Sequence, residues 1–132
     1  MRYLLITLVL LVSIVNAKIV IVVSEQCEFD KISTENIKYI FMGMKSSLLG
    51  QKIVAVDSSD RNLYEKFSKK YLNKNLTKMK IYWTRMVFSG KRKLNKKVHL
   101  DNLDSLKEKC SITYLREKDI PKFLKRVETF DK

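Results

Sequence analysis

An α/β domain with a mainly parallel central sheet is what this sequence predicts, and three observations lead there. Three short apolar runs, KIVIVVS (18–24), KIVAV (52–56) and SITYL (111–115), are rich in β-branched residues with few polar breaks. Strands buried on both faces read this way. The stretches between them repeat apolar residues at helical spacing. Beyond residue 17 the chain leaves 115 of its 132 residues, room for one core and not for a second domain. Helices lying between apolar strands imply crossover connections, so the sheet runs mainly parallel with both faces covered, a three-layer arrangement.

The elements follow in order. MRYLLITLVLLVSIVNAK opens with one basic residue, Arg2, and continues with an apolar core over 3–15. Val15-Asn16-Ala17 then offers a small residue for cleavage, the layout of a secretory signal peptide. The expectation is a leader over 1–17, a single domain over 18–132, and residence in the periplasm or outside the cell. A membrane contact is expected only through the leader, and only where it stays uncleaved.

After the first strand, Ser33 or Thr34 caps a helix that turns Ile37, Ile40 and Phe41 to one side. Gly43 stops it. MKSSLLGQ is a loop turning at Gly50, and the second strand follows. Past Asp57-Ser58-Ser59-Asp60 a helix carries the stripe Leu63, Phe67, Tyr71 until NKN interrupts it. Asn75 caps the next helix, with Leu76, Met79, Trp83, Met86 and Val87 as its apolar positions, and Gly90 ends it. KRKLNKK (91–97) reads as a basic loop. A last helix, capped by Asp101 or Asn102, turns Leu103 and Leu106 inward before the third strand. In the tail, Pro121 opens a helix or precedes an edge strand at 124–128.

Charge narrows the partners. Without the leader the chain has 26 Lys/Arg against 14 Asp/Glu, a net charge of +12. Such a balance favours phosphates, acidic lipid or acidic proteins. Nucleic acid is not expected, because no aromatic residue is interleaved with the basic run 91–97. Export places Cys27 and Cys110 in an oxidising compartment, which favours a disulfide over two buried thiols. In the chain-entropy model so long a loop adds about 4 to 5 kcal/mol.

No catalytic pattern emerges. His99, the single histidine, lacks a nearby Cys or paired acid in sequence and reads as a solvated side chain. Acidic pairs such as Asp57/Asp60 and Asp101/Asp104 read as helix-start residues. No metal site, cofactor or enzyme is expected. The one local candidate for chemistry is the turn after KIVAV, where a strand ends in Ser-Ser and enters a helix. Backbone N–H groups there can face an anion, with Ser58, Ser59, Arg61 and Asn62 as ligands. Two carboxylates beside them work against it.

Taken in order, ISTENIKYIFMGMKSSLLGQKIVAVD, LYEKFSKKYL, YWTRMVFSGK and ITYL resemble one lobe of the phosphate ABC-transporter substrate-binding proteins, over roughly residues 18–128. The resemblance is to small single-lobe relatives rather than to the two-lobe receptors. It implies a periplasmic-binding-protein-like α/β lobe. In the full receptors the loop after the strand matching IVAV carries an Arg and then a Ser-Gly-Thr run that binds phosphate. Here Asp57 stands at the Arg position and Arg61-Asn62-Leu63 at the run. Without glycine the main chain cannot approach an anion as closely.

The function expected from this reading is an exported, non-enzymatic binding or accessory protein. It would have at most a weak site for phosphate or another small anion. The alternative is a cell-envelope interaction protein whose ligand site has decayed. That protein would dock on an acidic protein or anionic lipid through Lys91, Arg92, Lys93, Lys96 and Lys97.

Overall fold

A computed structural model describes residues 18–132. The expected leader, 1–17, lies outside the described residues. Strand β1 (Ile19–Ser24) leads through the Cys27 loop to the short β2 (Lys31–Ser33) and helix α1 (Thr34–Phe41). A two-residue hairpin, β3 (Ser47–Leu48) and β4 (Gln51–Lys52), precedes β5 (Val54–Ser58). Helix α2 (Arg61–Phe67) runs on as a π-helical turn over Ser68–Leu72, and α3 (Leu76–Phe88) follows. Strand β6 (Lys96–Val98), a 3₁₀ stretch over Leu100–Glu108, and β7 (Ser111–Arg116) come next. The tail forms β8 (Leu124–Arg126) and β9 (Glu128–Phe130).

The central sheet has the order β6-β5-β7-β1-β8. β5 is parallel to β6 and to β7, whereas β1 is antiparallel to both β7 and β8. Four strands therefore point one way and β1 the other. Its uninterrupted apolar run reports burial on both faces, which it has; burial does not encode direction. Alternation along β1 divides the interior. Ile19, Ile21 and Val23 face α1, α2 and α3 in the larger core, together with Phe41, Phe67, Trp83, Ile112 and Tyr114. Val20 and Val22 face the other way, onto Val56, Val98, Leu103, Leu106, Leu115 and Leu124. The sheet thus lies between three helices on one side and a thin 3₁₀ layer on the other. Beneath α2, Phe67 and Tyr114 stack at 3.8 Å between ring centroids, with Phe41 at 4.7 Å from Phe67. Such pairs add about 1 kcal/mol each beyond area burial.

Most caps fall where their residue chemistry asks. Ser33, Asp60 and Asn75 each accept a hydrogen bond from a first-turn N–H of the following helix. Gly43 (φ 76°) and Gly90 (φ 69°) take the left-handed conformation that ends α1 and α3. A disulfide joins Cys27 to Cys110, tying the loop after β1 to the start of β7.

Four local expectations are corrected, and one open alternative is decided. The second strand starts at Val54, because Leu49 and Gly50 (φ 51° and 79°) form a tight hairpin turn that uses Gln51 and Lys52 as a separate strand. The run 91–97 is not all loop, since Lys96 and Lys97 pair with Val56 and Asp57 as β6. The last helix is a 3₁₀ stretch kinked at Asn102, and His99 precedes it without a side-chain cap. Of the two readings of Pro121, the edge strand holds: β8 pairs with β1, and β9 then pairs with β2. On α3 only Met79 and Trp83 are buried, while Val87 is 49% exposed.

Candidate functional site: the carboxyl edge of the sheet

Strand β5 sits between β6 and β7, and its following connection, through α2 and α3, leads only to β6. That parting of connections at the carboxyl ends of parallel strands is where α/β sheets open a crevice. The turn Ser58–Asp60, the residue after β6 (His99) and the last residue of β7 (Arg116) all meet there.

Below the crevice lies a buried polar network. Asp57, almost wholly buried, accepts a hydrogen bond from the Tyr114 hydroxyl at 2.9 Å and one from Asn95 Nδ2 at 3.2 Å. Asn95 also donates to the Phe41 carbonyl, which holds its amide in place. Burial pushes the Asp57 carboxyl up to about 6, although Tyr114, Asn95 and the nearby Lys97 charge all pull it down. Burial, with the Asp57 charge, raises the Tyr114 phenol far above its ordinary value.

Above it, the turn is paired within the chain. Ser58 N–H donates to Tyr114 Oη (3.1 Å) and Ser59 N–H to the Val98 carbonyl (3.0 Å). Asp60 N–H donates to Ser58 Oγ (3.0 Å), and Leu63 N–H donates to Asp60 Oδ1 (3.2 Å). The other Asp60 oxygen takes the Arg116 guanidinium at 2.9 Å. That hydrogen bond, with the cap to Leu63, holds the Asp60 carboxyl below its usual range. Ser59 Oγ lies 2.8 Å from His99 Nδ1. Arg61 and Asn62 are exposed.

The structure therefore gathers Ser58, Ser59, Arg61 and Asn62 on one edge. Arg116 and His99 join them, and sequence reasoning did not assign either to the site. The signal for Arg116 was its place directly after the last strand of the parallel set, where carboxyl ends converge. The carboxylate of Asp60 receives the helix N–H and the arginine. Ser59 with His99 forms half of a nucleophilic triad, but among the described residues no carboxylate bonds the other imidazole nitrogen. Of the basic run, Lys97 lies beside this edge, opposite Asp57 in the sheet. Arg92 is anchored, donating to the Gly43 carbonyl at 3.0 Å. Lys97 lies with its ammonium 5.7 Å from the Tyr64 ring centre, and Lys91, Lys93 and Lys96 are exposed.

The architecture has solved counterparts. It is similar to an ABC-type phosphate transport receptor from Vibrio cholerae, with 14% identity, TM-score 0.53, and coverage of 84% of this chain and 45% of that one. It is also similar to a Clostridium perfringens protein described as a phosphate ABC transporter substrate-binding protein with bound phosphate (15% identity, TM-score 0.60, 84% and 44% coverage). The chain has the fold of one phosphate-receptor lobe. It spans a little under half the length of the receptors it matches. Neither a family model nor a curated sequence matches it.

Proposed function

We propose that this receptor-like lobe is an exported, non-enzymatic binding or accessory protein whose anion site, at Ser58, Ser59, Arg61 and Asn62, is weak. The observation that carries the reading is the Asp60 carboxylate at the carboxyl edge, in a fold whose solved counterparts are phosphate receptors. It takes the donors, Leu63 N–H and Arg116, that an oxyanion would need. What remains for a phosphate is the Arg61 side chain, the Asn62 amide and the serine hydroxyls, all near a fixed negative charge. Contacts of this kind in open water are worth little. The role is then recognition or support in the cell envelope rather than high-affinity capture.

Calorimetry of the protein without its leader, titrated with phosphate and with sulfate, tests this. The expected result is heat only at millimolar anion, abolished in Arg61→Ser. Micromolar affinity would overturn the weak-site reading, and no heat or thermal shift at any concentration would remove the anion altogether.

A further inference from the structure

Residues 66–100 hold twelve Lys/Arg and no Asp/Glu, whereas the rest of the described chain holds fourteen of each. The whole positive excess of the domain therefore belongs to α3 and the segments beside it. The same region also carries uncovered apolar side chains. Phe88 is 87% exposed, Leu94 55% and Val87 49%. These three flank an open groove of about 400 Å³ whose floor includes Met79 and Trp83. Its two lining cations are Lys80, from α3, and Lys97, from β6, and no acid lines it.

We propose that this groove binds a free anionic amphiphile, a single acyl chain ending in a carboxylate or phosphate. The apolar tail would lie along Trp83, Val87, Phe88 and Leu94, and the head would meet Lys80 and Lys97. The volume falls in the range of small-molecule sites, and an apolar lining with a few polar groups is their usual chemistry. The charge selects the sign of the head and, through the surrounding field, speeds its arrival. A second copy of the chain is a poor occupant, because an isologous contact would bring like-charged rims together. This site lies between α3, Tyr64 of α2 and Lys97 of β6, and does not depend on the weak anion site at Ser58, Ser59, Arg61 and Asn62.

Trp83 is the single tryptophan and lines the groove, so its fluorescence reports on occupancy. The test titrates the protein with dodecanoate below its micelle-forming concentration, in parallel with dodecanol, dodecyltrimethylammonium and inorganic phosphate. A saturable change with dodecanoate is expected, with none from phosphate and weaker responses from the neutral and cationic analogues. The double variant Lys80→Gln/Lys97→Gln should weaken dodecanoate about tenfold, the loss of two modest ion pairs' worth of affinity, while the protein still unfolds cooperatively. Phe88→Ser should weaken all three amphiphiles alike. Equal binding of the cationic analogue, or no response to dodecanoate, overturns the proposal. So does a response confined to vesicles of phosphatidylcholine and phosphatidylglycerol, which would make the face a membrane dock instead.

Discussion

At the carboxyl edge of the sheet the turn Ser58–Asp60 is paired within the chain, while beside α3 the side chains of Val87, Phe88 and Leu94 face solvent uncovered. The first region has the position of a binding site and few free donors. The second has no special place in the topology but leaves both apolar surface and charge unspent. Capacity to bind follows from what remains unpaired after folding. Position in a fold only marks where to look.

The largest effect is expected at the opposite end of the sheet, where Cys27 joins Cys110 just before β7. Removing the link between the two ends of the core with Cys27→Ser/Cys110→Ser should cost about 4 to 5 kcal/mol in the chain-entropy model. It should leave the pairing of Ser58 to Asp60 intact in what still folds. Denaturant unfolding measures it, and a cost under 1 kcal/mol would mean that the reduced chain keeps its ends together unaided.

Next comes the buried carboxyl. The folded-state value of Asp57 is raised from 3.8 to about 6, so ionising it opposes folding. Its protonated form is favoured in the folded state, so stability falls as pH rises from about 4 to about 6 and then levels off. The span corresponds to roughly 3 kcal/mol by linkage. Asp57→Asn should flatten that part of the stability–pH curve. A parent curve already flat there would show the network to be better solvated than its burial implies.

Smaller again is Asp60→Asn. The amide oxygen can keep the cap while the pairing with Arg116 weakens, a loss of about 1 kcal/mol for a half-buried pair. Because a negative charge leaves the edge, phosphate heats should grow relative to the parent. Unchanged heats would mean that Asp60 does not limit anion binding there. The smallest effect is expected from Phe88→Ser, within about 0.5 kcal/mol of the parent in stability. A large destabilisation would show the α3 face to be part of the core.

Much of the scaffold was legible because its signals are local. Ser33, Asp60 and Asn75 cap helices whatever surrounds them, and Gly43 and Gly90 supply positive φ where side chains resist it. The Ser58–Asn62 turn was found from the strand-to-helix junction alone. Two parts of the edge were not legible. Arg116 and Val98 meet the turn only because β7 and β6 flank β5, 39 to 56 residues away in sequence. The antiparallel course of β1 was hidden for a related reason: a run of Ile and Val fills a sheet interior equally well in either direction. On α3 the periodicity overstated burial, since a helix at the edge of the layer has partners for only part of its apolar stripe.

By itself the sequence indicated an α/β domain, the caps of α1, α2 and α3 and an excess of positive charge, and it favoured a Cys27–Cys110 bond. All of these follow from short-range propensity, composition or the absence of any other partner. Only the tertiary structure decided that the turn after β5 satisfies itself through Tyr114, Val98 and Arg116. It alone decided that Phe88, Leu94 and Val87 stay uncovered beside Lys80 and Lys97. Hydrogen bonding and burial depend on which distant segments arrive next to one another, and that is settled by packing the whole chain at once.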